Sequence, residues 1–243
     1  MASAAPSIDA AIPQARGERP IFTWYALIAL AVIFVGFAPT WFLKSFFGAP
    51  ELSTLKHVHG AVMMSWFVLF LAQARLVAAG NVATHRRLGA AGIAIAVLVV
   101  VVGLQAGIAS ARAGVTPLPE IPPLAFFIMP VGEIVVFTLL VGAAIALRRR
   151  TPWHKRLMLV GTIAMLTPAF ARWPVIGDFG PPAFFAAVDI LIIAAMLYDA
   201  RRNRRVHPAF ITGLVVVVVG QVGRLALAGT ALWMGFARWM VGA

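Results

Sequence analysis

Residues 87–110 read RLGAAGIAIAVLVVVVGLQAGIAS, and this stretch decides the fold class. Between Arg87 and Arg112 the sequence has no charged side chain. An α-helix needs about 20 apolar residues to cross the hydrocarbon core of a bilayer. Lipid offers the backbone no hydrogen-bond partner, and the run shows no alternating pattern of a barrel strand, so it predicts a transmembrane helix.

Six further apolar segments lie on either side of this one. The seven predicted transmembrane helices cover approximately 21–43, 57–79, 87–110, 123–147, 154–172, 182–199 and 208–236. With 62% hydrophobic residues and a mean hydropathy of +0.94, they predict an all-α polytopic membrane bundle in which residues 21–243 form a single domain. Residues 1–20, rich in Ala, Pro and Ser, are predicted to be a disordered cytoplasmic tail, and the first helix an uncleaved signal anchor.

Lysine and arginine are distributed unevenly between the two sides of the predicted bundle. Most lie in the tail and in the loops that join segments two to three, four to five, and six to seven. Because positive loops stay in the cytoplasm, the N-terminus is predicted inside and the C-terminus outside a bacterial cytoplasmic (inner) membrane. The same distribution accounts for the net charge of +12 without nucleic acid, and it predicts contact with anionic lipids at the cytoplasmic face.

Common catalytic chemistry has no support in the sequence. The chain has no cysteine, which excludes disulfides and thiolate sites. It also lacks a phosphate-binding loop, a dinucleotide fingerprint, a G-x-S-x-G elbow and an H-E-x-x-H motif. No catalytic residue is therefore predicted, and whether the protein is an enzyme stays open.

Polar residues inside the predicted helices are the first candidates for function, because ionisable groups at membrane depth are costly. Glu133, Asp189 and Arg224 fall at similar depths below the outer ends of helices four, six and seven, and Gln221 lies one helical turn from Arg224. We expect these four residues to form a buried polar cluster. The cluster is either a structural ion pair or a site that titrates during transport.

His57 and His59 open the second helix on the outer side. Residues two apart on a helix point in nearly opposite directions, so both imidazoles cannot easily serve one ion. His59 and Met63 share a face, and imidazole with thioether suits copper or a haem iron. We take His57, His59 and Met63 as a candidate metal site, with simple packing as the alternative.

His85, His154 and His207 begin the third, fifth and seventh helices on the cytoplasmic side. If these helix ends meet, three imidazoles could bind a transition metal, or two could bind a b-type haem whose propionates the adjacent Arg and Lys neutralise. The candidate cofactor-binding set is therefore His59, His85, His154 and His207. The alternative is that these histidines contact lipid headgroups at the interface.

Two short sequence signatures resemble those of known bacterial membrane proteins. They are the H-x-H-G run, His57-Val58-His59-Gly60, and the H-[RK]-R-L runs that begin at His85 and His154. Together they resemble a set of small bacterial multi-pass membrane proteins that have about seven transmembrane helices and no established function. Similar His-Arg/Lys-x-Leu signatures occur in bacterial membrane families with suspected roles around haem or cytochrome oxidase assembly, so the resemblance implies such a role without implying any catalytic residue.

These observations support one main functional hypothesis and two alternatives. The main hypothesis is an integral membrane protein that binds haem or a metal and has a redox, sensing or oxidase-assembly role. The first alternative is a proton-coupled small-molecule transporter that uses Glu133, Asp189 and Arg224. The second is a non-catalytic accessory subunit that docks onto a larger membrane complex.

Overall fold

The computed structural model describes residues 12–118 and 120–242 of the chain, and only the backbone of residues 12–19. Within this part every regular element is helical. The helices are α1 (Ile12–Phe37, continued by a π-helical turn, Ala38–Phe42), α2 (Thr54–Ala78), α3 (Val82–Arg112), α4 (Pro123–Phe126), α5 (Ile128–Ala146), α6 (Thr151–Ala164), α7 (Thr167–Phe170), α8 (Pro174–Gly177), α9 (Pro181–Asn203), α10 (Pro208–Leu227) and α11 (Ala231–Val241).

Helix begins earlier than the sequence pattern indicates. Residues 1–11 of the predicted disordered tail lie outside the described residues, and α1 starts at Ile12, inside that predicted tail. The predicted all-α class is confirmed for the described part of the chain.

Six helical segments are long and apolar enough to cross a membrane among the described residues. They are Pro20–Phe42, Thr54–Ala78, Val82–Arg112, Pro123–Ala146, Pro181–Asn203 and Pro208–Leu227. A chain with several such helices has the architecture of a multi-pass membrane protein. We call the end of the bundle that contains the starts of α3, α6 and α10 the basic end, and the other the opposite end.

Two of the predicted helices are broken in the structure. The segment predicted at 154–172 forms α6 and α7, separated at Met165 and Leu166. Pro168 has no backbone N–H to donate to Ala164, so the helix ends there and restarts with the proline in the first turn of α7. The segment predicted at 208–236 forms α10 and α11, separated at Gly229, which has a positive φ of 77°.

Helix α6 lies inside the bundle. From Arg156 to Ala164 every residue except Met158 is buried, and α6 contacts α1, α5, α9 and α10. The short α7 continues this interior segment and contacts α1 and α9. A helix enclosed by other helices faces little lipid, which explains how α6 can carry a buried arginine at its start.

Close packing of α3 against α5 depends on two glycines one turn apart. A Cβ atom on Gly103 would lie 3.2 Å from Ile134 Cδ1, and one on Gly107 would lie 3.1 Å from a ring carbon of Phe127. At such distances a Cβ atom would require the neighbouring side chains to shift by a few tenths of an ångström. This small-residue face allows the two helices to approach closely.

Candidate functional site

Two histidines meet at the basic end of the bundle. His85 lies in the first turn of α3, a turn capped by Asn81, whose side-chain oxygen accepts the Thr84 N–H at 3.1 Å. His154 lies in the first turn of α6. Their ring centroids are 6.5 Å apart and the ring planes are inclined by 75°. The structure thus brings together two side chains that lie 69 positions apart in the sequence.

The backbone of α5 orients His154. Its Nδ1 atom lies 2.8 Å from the carbonyl oxygen of Ala144, in the last turn of α5. A carbonyl can only accept, so Nδ1 carries the proton and the lone pair of neutral His154 is on Nε2. Such a bond from the remote ring nitrogen to a backbone carbonyl is typical of metal-ligating histidines. His85 differs, since its buried Nδ1 has no hydrogen-bond partner among the described residues.

His207 makes different contacts from this pair. Its Nδ1 accepts the backbone N–H of Ala209 at 3.1 Å and caps the start of α10. Its ring packs 5.6 Å from the ring of Trp153. Across residues 12–118 and 120–242, no group of three or more His, Asp and Glu side chains is placed to hold a metal ion. His207 is therefore a helix cap, and a three-histidine metal site is not assembled.

His57 and His59 diverge at the opposite end. His57 is exposed, close to the ion pair of Lys44 with Glu51. The hydrogen bond and charge of Lys44 lower the pKa of Glu51. The ring of His59 instead turns inward, towards the carbonyl of Val102 and the charge of Arg172.

Met63 also faces inward. Its terminal methyl carbon lies 3.3 Å from the position that a Cβ on Gly103 would take, so Met63 packs on the small-residue face of α3. The guanidinium of Arg172 close to His59 disfavours a metal cation there. The exposed His57 therefore does not share a site with the inward-facing His59, while metal binding by His59 and Met63 stays a prediction.

A buried ion pair joins α5 to α10. Arg224 Nη1 donates to Glu133 Oε2 at 2.6 Å, and both side chains are buried. Arg224 Nε donates to the Gly220 carbonyl at 3.0 Å. The guanidinium carbon also lies 4.7 Å from the ring centre of Phe185. The second carboxylate oxygen of Glu133, Oε1, is buried and receives no hydrogen bond from Arg224, while the Thr167 side chain lies beside the carboxylate.

The other two members of the predicted cluster form a separate contact. Gln221 Nε2 donates to Asp189 Oδ1 at 2.9 Å, so Asp189 bonds to the amide rather than to Arg224. Asp189 is also only partly buried. The four residues lie on the same three helices, α5, α9 and α10, but as two pairs.

A second buried ion pair, at the basic end, was missed by the sequence argument. Arg156 donates to both carboxylate oxygens of Asp199, from Nε at 3.0 Å and from Nη2 at 2.7 Å. Arg156 Nη1 donates to the Pro152 carbonyl at 2.9 Å. From the sequence alone, Arg156 is interpreted as one of the loop charges next to His154. Its burial follows from the interior position of α6, which no periodicity indicates.

Three partly or fully buried polar side chains form a stripe along α2. His59, Trp66 and Gln73 are spaced by seven residues and therefore lie on one face. Each has a buried nitrogen or oxygen with no hydrogen-bond partner among the described residues, as do Thr23 and Trp41 on the neighbouring α1 segment. Buried polar atoms without partners are costly. The seven-residue spacing is a signal that could have identified this stripe.

Comparison of the chain with protein-family models, with curated proteins and with solved structures gives no match. The functional argument therefore rests on the geometry of the sites themselves.

Proposed function

We propose that this protein crosses a bacterial cytoplasmic membrane seven times and binds a b-type haem between His85 and His154 at its basic end. In this proposal it serves in redox chemistry, sensing or oxidase assembly. The observation that carries the proposal is the approach of the two imidazoles, 6.5 Å between ring centroids, on separate helices.

The ring separation fits one metal atom between two imidazoles. With a metal–nitrogen bond of about 2 Å and an imidazole radius of about 1 Å, two rings that held one metal atom would have centroids up to roughly 6 Å apart. The Nδ1–H bond of His154 to the Ala144 carbonyl leaves its Nε2 lone pair for such a bond. The spacing and the His154 tautomer thus both support ligation.

Haem suits this pair better than a bare metal ion. An ion held by protein alone takes three or four ligands, and no such group exists in the described part of the chain. A haem iron takes four nitrogens from its own porphyrin and needs one or two side chains. The exposed Arg86 and Arg87, next to His85, are suited to neutralise the propionates. When bound, haem supplies one-electron redox chemistry.

The proposal of seven crossings rests on the interior segment. Residues 151–170 form α6 and α7, which at ~1.5 Å per residue are long enough to span a bilayer core. This segment starts beside His85 at one end. It leads to Arg172, which lies over the ring of Phe37 at the other end. With positive loops inside, the N-terminus is cytoplasmic, and a reporter fused after Ala243 should be active only outside the cytoplasm.

Single-histidine variants test the haem proposal. Purified wild-type protein should show a Soret band that sharpens on reduction, and His85→Ala and His154→Ala should lose it. His57→Ala is the matched control, since it removes an exposed imidazole at the opposite end and should keep the wild-type spectrum. Free imidazole should restore the spectrum of His85→Ala, which separates loss of a ligand from misfolding. A His154→Ala variant with the wild-type spectrum would contradict the assignment.

A specific observation favours proton-coupled transport as the second candidate. The Glu133 carboxylate is buried inside a spanning segment, and its oxygen Oε1 is not bound by Arg224, so this oxygen is available to accept a proton. The test is proton movement into liposomes that contain the purified protein. Glu133→Gln should abolish that movement if Glu133 carries the proton, and absence of movement in the wild type would remove this candidate.

A further inference from the structure

A cavity of about 430 Å³ opens at the basic end, between the start of α6 and the connection from α9 to α10. Five cationic side chains line it together with His207. They are Lys155, Arg156, Arg202, Arg204 and Arg205. The cavity therefore brings cations from two stretches of the chain, 155–156 and 202–205, into one concave surface.

Three cations of this cavity, Arg202, Arg204 and Arg205, form no ion pair with the described residues. No carboxylate is among the described residues that line the cavity. The nearby Asp199 has both oxygens bound by Arg156, and Arg202 bonds to the Tyr198 hydroxyl at 3.2 Å, a neutral group. Arg204 and Arg205 extend from an exposed connection. A cluster of like charges held together in this way favours an anion.

The electrostatic state of His207 agrees with this charge excess. Burial lowers the pKa of His207, and the charge of Arg156 lowers it further. Arg205 and Lys155 act in the same direction, while Asp199 opposes them. The imidazole of His207 thus lies among positively charged side chains, and a bound anion would partly neutralise their charge.

The backbone holds Arg204 in an unusual conformation. Its φ is 56°, in the left-handed region, and it is the only described residue other than glycine with a positive φ. Glycine adopts this conformation without strain, whereas a side chain makes it costly. An arginine at the end of α9 therefore keeps a guanidinium at the cavity at the expense of backbone stability.

We propose that this cavity binds a phosphate-bearing anion, supplied either as a free phosphate group or as the headgroup of an anionic phospholipid. Guanidinium groups match phosphate oxygens with paired, charge-assisted hydrogen bonds. The starts of α6 and α10 also lie at the cavity wall and add the positive ends of two helix dipoles. Basic hollows between membrane helices on the cytoplasmic side are suited to lipid phosphates. The proposal is independent of the haem.

The experiment measures the apparent melting temperature of the full-length protein in detergent against ligand concentration. One arm compares sodium phosphate with sodium chloride at matched ionic strength. The other compares short-chain phosphatidylglycerol with short-chain phosphatidylcholine. A saturable stabilisation by phosphate alone identifies a free phosphate group, and one by phosphatidylglycerol alone identifies a lipid headgroup. Either result supports the proposal, and absence of both overturns it.

Variants locate the binding. Arg204→Gly removes a cation while relieving the backbone strain, so it should fold at least as well as the wild type. Combined with Arg205→Ala, it should raise the ligand concentration for half-maximal stabilisation by at least about tenfold. Arg149→Ala removes an exposed charge outside the cavity and should leave that concentration unchanged. An unchanged response of the double variant would place the anion elsewhere and overturn the proposal.

Discussion

Histidines lie at both ends of the bundle, three at the basic end and two at the opposite end, and each half contains a buried ion pair. At the basic end, His85 and His154 come from distant helices and meet, and Arg156 binds both oxygens of Asp199. Towards the opposite end, His57 and His59 are neighbours in sequence and diverge. There Arg224 binds only one oxygen of Glu133. Contact between helix starts, rather than closeness in sequence, creates the better candidate site.

The largest difference between the two ion pairs should appear when each arginine is removed. Arg224→Leu leaves the Glu133 carboxylate inside the bundle without its cation, which costs about 3–5 kcal/mol of stability. Arg156→Leu should cost less, because Arg156 lines the basic cavity and the other cations of that cavity remain in the variant. Thermal unfolding in detergent should therefore rank Arg224→Leu below Arg156→Leu.

The double variant Glu133→Leu/Arg224→Leu checks the cause of that loss. It removes both charges and should recover most of the stability, since an apolar pair of similar volume is often neutral. If Arg224→Leu melts at the wild-type temperature, the pair does not hold α5 to α10.

A smaller loss of stability is expected from substitution of Gly132, which packs against the Arg224 side chain. A Cβ atom on Gly132 would lie 2.5 Å from Arg224 Cδ. Gly132→Ala should therefore destabilise the protein by about 1–3 kcal/mol through displacement of the guanidinium. Gly142, on the same helix, has open space at the corresponding position, so Gly142→Ala should be neutral or slightly stabilising. Equal melting temperatures for the two variants would contradict tight packing at Arg224.

The smallest effect concerns His207 and pH. Because the pKa of His207 is lowered in the folded state, the unfolded chain binds the proton more readily, and stability is lost as pH falls below the ordinary value of 6.5. His207→Asn keeps a good helix cap but cannot titrate. Its melting temperature should fall less steeply than that of the wild type on acidification, and parallel curves would show that His207 contributes nothing to this loss.

The helical class and the positions of most apolar helices could be predicted from the sequence, because the length of an apolar run is a strong local signal. The interior position of α6 does not follow, since its composition is no more apolar than that of its neighbours and its break depends on Pro168. The similar depths of Glu133 and Arg224 in the membrane indicated that these residues lie close together. Depth alone could not show that Asp189 and Gln221 form a separate pair. That His85 meets His154 while His207 caps α10 depends on three-dimensional packing.

The absorption spectrum of the purified protein, as isolated and after dithionite reduction, tests the central claim most directly when haem content is measured on the same sample. We predict stoichiometric haem with the spectrum of an iron bound by two imidazoles. A colourless protein, produced in cells supplied with haem and intact by size-exclusion chromatography, would contradict the assignment of His85 and His154 as haem ligands.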